Sequence, residues 1–241
     1  MNEKPETVAE IGENTIVEPG VVVGYKYHKD AGGAKIGTNG ILRMGTIIYG
    51  DVSAGDYFQT GHHVIIRAQV KIGDYCNINN QSTLEGIVRM GDGVRIMAHV
   101  YIPSRTWFGD HIFVGPGVNF LNDMKPGRWP DGAPEPRGAF VEDDVTIGGG
   151  CTILPGIQIG KGSFIAAGAV VIKDVPERTL VVGTPGRNQP LPASLDREND
   201  RTLTIQPLDI WHPLIPDLSI WKFPPYWPQE NQEAAEGAAS S

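Results

Sequence analysis

A chain of 241 residues that is 40% hydrophobic can bury one large core and carry an extension. A net charge of −8 excludes a general nucleic-acid binder or a polybasic membrane binder. No apolar run approaches the ~18 residues of a membrane span, and two cysteines make no disulfide framework, so a cytoplasmic protein is expected.

The chain opens on "MNEKPETVAE", which has no apolar stretch of the kind a secretory leader needs. A short six-residue register follows at Ile11, Val17 and Val23, and the stretch "YKYHKDAGGAK" then reads as a loop over 26–35. From Ile36 the register runs unbroken. Steps of six give Ile36, Leu42, Ile48, Ala54, Thr60, Ile66, Ile72, Ile78, Leu84, Met90, Ile96, Ile102, Phe108, Val114 and Phe120, with only Thr60 polar. Four residues after most of these comes a second small or β-branched residue, such as Val64, Val70, Val88, Val94, Val100 and Val118.

A period of six fits neither a helix at ~3.6 residues per turn nor a plain amphipathic strand. It fits a short strand with inward side chains and a corner turned by Gly or Asp-Gly. Three such units close a triangular coil of about 18 residues, and stacked coils pair parallel strands at ~4.8 Å. Residues 18 apart then share a column: His63, Gln81, His99 and Gly117 in one, Arg67 and Glu85 in another. Two coils separate His63 from His99, about 9–10 Å, too far to share a metal through ~2 Å bonds, so no metal site is expected. Cys76 and Cys151 fall on inward positions and read as small core residues.

The register breaks at "FLNDMKPGRWPDGAPEPRG", a loop over 121–138, and resumes at Val141, Ile147, Ile153, Ile159, Ile165 and Val171. After Asn188 the hexads stop. Residues 189–241 form a Pro/Trp-rich extension in which Trp211, Trp221, Tyr226 and Trp227 call for a packing surface, with a disordered tail expected at "QENQEAAEGAASS". The organisation expected is a repeat domain over 1–188 and an irregular extension over 189–241.

The repeat resembles that of the hexapeptide-repeat acyltransferases, which implies an all-β left-handed parallel β-helix with external loops. Locally, "TGHHVIIRAQ", "STLEG", "MAHVYIP" and "VGPGVNFLNDMKPGR" look like the nucleotide-sugar N-acetyltransferases. That resemblance implies a homotrimer with its active site between subunits, moving acetyl from acetyl-CoA to the amine of a dTDP- or UDP-linked amino sugar. It carries "F-x-N-D" onto Phe120, Asn122 and Asp123 and "T-G-H" onto Thr60, Gly61 and His62. Ala68 stands where relatives often have an acid.

Acetyl transfer to an amine needs the amine deprotonated, an oxyanion stabilised and a thiolate released. His99 is the first candidate for base or orienter, Asp123 the alternative, and Asn122 a polar support. An amine that arrives deprotonated needs no base at all. His62, Arg67, Glu85 and Asn119 are the expected substrate contacts. The segment "AAGAVVIKDVP" with "GTPG" resembles a pantetheine groove, placing Ala166, Ala167, Gly168, Lys173, Gly183, Pro185 and Arg187 on the co-substrate. Gly186 stands where Ala is usual. The rival readings are a hexapeptide acyltransferase with another hydroxyl or amine acceptor, and a non-catalytic or carbonic-anhydrase-like β-helix protein.

Overall fold

The computed structural model describes residues 7–129 and 136–199. The expected Trp- and Tyr-bearing part of the extension lies outside these residues, as does the centre of the 121–138 loop. Among the described residues there is no helix, and hence none long and apolar enough to cross a membrane.

Two-residue strands repeat on three faces. The first face runs from Ala9–Ile11 to Gln158–Ile159, the second from Ile16–Val17 to Arg187–Pro190, and the third from Val22–Tyr25 to Val170–Val171. Successive coils pair in parallel 18 residues apart, as in Lys71 with Arg89, Asn77 with Arg95 and Thr83 with Tyr101. This is the left-handed parallel β-helix expected from the hexads. Among the described residues the last strand pair, Thr179–Val182 with Arg187–Pro190, is antiparallel, as is the isolated bridge between Thr7 and Tyr25. The last pair folds the chain back over the upper end of the second face, straddling the expected boundary at 188.

Each loop shows as a surplus in the register. Ala9 pairs with Ala34, 25 apart, so seven residues (25 − 18) are extruded. Trp107 pairs with Phe140, 33 apart, so fifteen residues (33 − 18) leave the coil between Phe120 and Phe140.

The six-step column from Ile36 to Phe120 is buried throughout, and so are its successors from Val141 to Val171. Thr60 sits in that column at no cost, because its hydroxyl meets the Thr46 hydroxyl at 3.1 Å and accepts the Arg43 N–H at 3.0 Å. At the lower end the pattern holds but burial does not: Ile11 and Val17 are about 40% exposed. A column is covered only where coils lie on both sides of it.

Cys76 and Cys151 are fully buried, each thiol donating to a backbone carbonyl of its coil. Burial pushes the Cys76 thiol up to about 12 and moves Cys151 the same way.

The corners explain the remaining composition. Most turns put one residue at positive φ, either Gly or a side-chain-bearing residue such as Asn39, His63, Gln81, His99 or His111. At the first corner, between the first and second faces, five aspartates stack: Asp56, Asp74, Asp92, Asp110 and Asp143. Each accepts an N–H from the coil below at 2.6–3.0 Å. That bond is the main reason the Asp143 carboxyl is held below its ordinary value, Lys161 adding to it.

Candidate active site

The second corner, between the second and third faces, carries the column anticipated from the 18-residue spacing. Its backbone ladder runs His63 to Met44, Gln81 to His62, His99 to Asn80, Gly117 to Ala98, Gly150 to Pro116 and Gly168 to Gly149, all at 2.8–3.1 Å. The edge changes character at His99. From His63 to His99 the corner residues bear side chains, His63, Gln81 and His99 itself, at φ 56–60°, with Gly45 under His63. Above His99 they are Gly117, Gly150 and Gly168, at φ 68–74°. A Cβ placed on any of these three would meet nothing within 4 Å. Three coils of bare backbone, about 14 Å long, thus rise from the exposed His99.

Ala166, Ala167 and Gly168 form the top of that edge. The Thr184 hydroxyl donates to the Gly168 carbonyl at 3.1 Å, and the Val170 N–H donates to Gly183. Just beyond, Lys173, Pro185 and Arg187 join Ile172, Gly186 and Asn188 around a cavity of about 410 Å³. The departure at Gly186 has a steric reason. A Cβ there would stand 2.8 Å from Val181 Cγ1 and 2.9 Å from the Val170 carbonyl.

The loop residues lie elsewhere. The 121–138 loop leaves from the third corner, whereas His99 stands at the second. Asn122 is therefore one coil up and five residues along from His99, roughly 15 Å away at ~3.3 Å per residue. Asn122 donates from Nδ2 to the Ser104 hydroxyl at 3.2 Å, and its carbonyl accepts the Arg137 N–H at 3.0 Å, closing the loop base. Asp123 Oδ1 accepts both the Lys125 N–H, at 2.8 Å, and the Trp129 indole N–H, at 2.9 Å. Lys125 Nζ lies 5.2 Å from the Trp129 ring centre.

On the third face Arg67 and Glu85 form the inter-coil ion pair expected of their column, and the Glu85 carboxylate raises the Arg67 guanidinium further. Arg67 also lies over the Tyr49 ring at 6.0 Å. Tyr101, pushed up by burial and by Glu85, stands in the column directly below Asn119. Asn119 donates to the Gly117 carbonyl at 3.2 Å. His62 is exposed two coils below His99, its N–H donating to Asn80 Oδ1 at 2.7 Å. The structure thus brings His62, His99 and the Ala166–Gly168 segment to one edge and leaves Arg67, Glu85, Asn122 and Asp123 off it. Among the described residues no three His, Cys, Asp or Glu side chains are grouped to hold a metal.

Sequence reading passed over Gly149 and Gly150. The signal was present in "IGGGC", since Gly150 is 18 before Gly168, but the fifteen-residue surplus of the loop hides its relation to Gly117.

Comparison with known proteins adds the following. The family profile described as bacterial transferase hexapeptide (six repeats) matches residues 138–173, which include Gly150, the Ala166–Gly168 segment and Lys173. A 2,3,4,5-tetrahydropyridine-2,6-dicarboxylate N-acetyltransferase of Staphylococcus aureus is 40% identical over 79 residues, covering 33% of this chain and 30% of that one. A galactoside O-acetyltransferase of Lactococcus lactis is 36% identical over 80 residues, covering 32% of this chain and 39% of that one. The chain therefore spans about a third of the length of the curated relatives it matches. Among solved structures, an N-acyltransferase from Bacillus cereus in complex with dTDP and 3-hydroxybutyryl-CoA covers 82% of this chain and 86% of that one. It is 15% identical with a TM-score of 0.37, a likeness too loose to speak for substrate. Over residues 138–173 this β-helix carries the repeat of the bacterial hexapeptide transferases.

Proposed function

We propose that the protein is an acyltransferase that moves an acetyl group from acetyl-CoA to the amine of a nucleotide-linked amino sugar. One observation carries the transferase reading: His99 stands at the foot of an edge whose left-handed corner position is an open glycine for three coils. A thin pantetheine arm suits such an edge, and Lys173 and Arg187, which line the cavity beyond its upper end, offer positive charge for phosphates. The hexapeptide match over this part of the chain and the two acetyltransferase relatives support the same reading.

Each group then has a task. The bare backbone of Gly117, Gly150 and Gly168 admits the arm, and the thioester supplies an activated acetyl group when bound. An imidazole within hydrogen-bond reach of the acceptor amine takes its proton, a contribution of about 10²–10⁴-fold. His99 is the group in position to do so. Asn122 and Asp123 shape the base of the loop at the third corner, roughly 15 Å from His99. A loop and an imidazole so far apart on one chain meet at short range if one of them comes from a neighbouring copy. This supports the trimeric assembly with a shared site that the local resemblance implies.

The amino-sugar acceptor rests on the "FLND" loop and the segments around His62 and His99. The galactoside O-acetyltransferase relative favours a second reading, with a hydroxyl acceptor on the same edge. Thiol release from acetyl-CoA, followed with dTDP- and UDP-amino sugars beside plain sugars, decides between them. Transfer to an amino sugar, reduced at least 100-fold in His99→Asn, is the expected result. Release with plain sugars only removes the N-acetyl reading, and release with none removes the acyltransferase reading.

A further inference from the structure

Three histidines occupy corner positions at positive φ: His63 at 56°, His99 at 60° and His111 at 55°. Two of them rest on glycine. His63 lies one coil above Gly45, and a Cβ at Gly45 would fall 2.3 Å from its Nδ1 and 2.7 Å from its Cε1. His111 lies one coil above Gly93, where a Cβ would fall 2.5 Å from Nδ1. In both cases the imidazole folds down along the edge and fills the space a side chain below would occupy. His111 in this posture buries its Nδ1 without a hydrogen-bond partner.

His99 differs from both in what lies under it. The residue one coil below is Gln81, in the same corner conformation at φ 57° and carrying a Cβ. Contacts under 3.0 Å do not occur at a real Cβ, and ordinary contact begins at 3.4 Å. The posture of His63 is thus closed to His99. To clear the Gln81 Cβ its imidazole must stand off by about 1.1 Å (3.4 − 2.3) or more relative to that posture.

We propose that Gln81 is a positioning residue for His99. Its Cβ props the imidazole off its own corner, outward to the foot of the bare edge formed by Gly117, Gly150 and Gly168. This deepens the acyltransferase reading and rests on it for the purpose of the prop, though the posture itself can be tested without that reading. The prop is steric, so alanine at 81 suffices and glycine does not. Gly at φ 57° is an unstrained replacement, so Gln81→Gly is expected to fold.

The test is carbethoxylation of the folded protein by diethyl pyrocarbonate at neutral pH, with site-by-site rates from peptide mass spectrometry. In the natural chain His99 is expected to react at least fivefold faster than His63. In Gln81→Gly the His99 rate falls to that of His63, while Gln81→Ala keeps it within twofold of the starting value. Equal His99 and His63 rates at the outset, or an unchanged His99 rate in Gln81→Gly, overturn the proposal. A second arm follows acetyl transfer to whichever acceptor the thiol-release panel identifies. There Gln81→Gly lowers kcat about tenfold or more with KM for acetyl-CoA unchanged, and Gln81→Ala restores it. A fall in KM-linked binding instead of kcat also overturns the proposal. Failure of every acceptor would remove the acyltransferase reading and leave the carbethoxylation rates to decide the posture.

Discussion

Substituting Gly150 by Asn isolates the bare edge from the stability of the coil. The position has φ 68°, and a Cβ there meets nothing within 4 Å, so the only folding cost is conformational. Left-handed backbone costs most residues about 1–2 kcal/mol and Asn less, and the same edge already accepts His63, Gln81 and His99. We expect a loss of at most about 1 kcal/mol, a melting shift of roughly 2–4 °C for a domain of this size. The side chain, however, projects over the edge midway between Gly117 and Gly168. An arm lying there has to lift away, and a loss of at least ~1.4 kcal/mol appears as tenfold or more in Kd for CoA. Gly162→Asn is the matched control: φ 65°, nearest neighbour Arg178 Cγ at 3.6 Å, but on the first corner. Calorimetric titration with CoA and parallel thermal melts read both quantities. If Gly150→Asn binds CoA as the natural chain does, or Gly162→Asn loses it equally, the edge is not the groove.

Three further outcomes follow from the same structure. Cys76 and Cys151 should resist a thiol reagent at pH 8 in the folded protein and react fully in denaturant. The Cys76 thiol, raised to about 12, favours folding fully below its unfolded value near 9. That contribution is lost as pH rises from about 9 toward 12, on the order of 1.4 kcal/mol per pH unit. A urea titration series should show it and Cys76→Ala should lack it. Asn199 holds the segment after Pro190 to the helix, accepting from Thr146 Oγ1 at 2.7 Å and donating to the His111 and Val145 carbonyls at 2.9 and 3.1 Å. At about 0.5–1.5 kcal/mol per bond, Asn199→Ala should speed amide exchange over 191–199 while leaving the Ile96–Phe120 coils unchanged.

The fold was legible because a β-helix is periodic in its inward residues. Ile36 to Phe120 announces the coil, and even Thr60 disturbs it only on paper, since Thr46 and the Arg43 N–H satisfy it inside. The site was legible in part. Columns 18 apart placed His99 under Gly117 and paired Arg67 with Glu85, because that count measures stacking directly. The same count puts Asn122 five residues past Gly117, at the far side of the third face, but it could not show that Asn122 bonds Ser104 or that Asp123 bonds Lys125 and Trp129. Nor could it show the roles of Gly150 and Gln81. A glycine reads the same whether the space beside it is open, as at Gly150, or filled by a neighbour's imidazole, as at Gly45.

The register surplus of the two loops has a bearing on how this chain can change. Seven and fifteen residues were added at the cost of one register shift, between Val23 and Tyr25, because each insertion leaves and re-enters at one corner. Inside the coils the rule is stricter. Losing six residues would rotate everything downstream by one face, and Gly150 and Gly168 would no longer share an edge with His99. Only whole coils can be added or dropped there without breaking that alignment, and each one below Gly168 and above His99 would lengthen the bare edge by about 4.8 Å. The distance between the cavity at Lys173 and the imidazole is therefore quantised, and the co-substrate proposed above, being of fixed length, would tolerate one value of it.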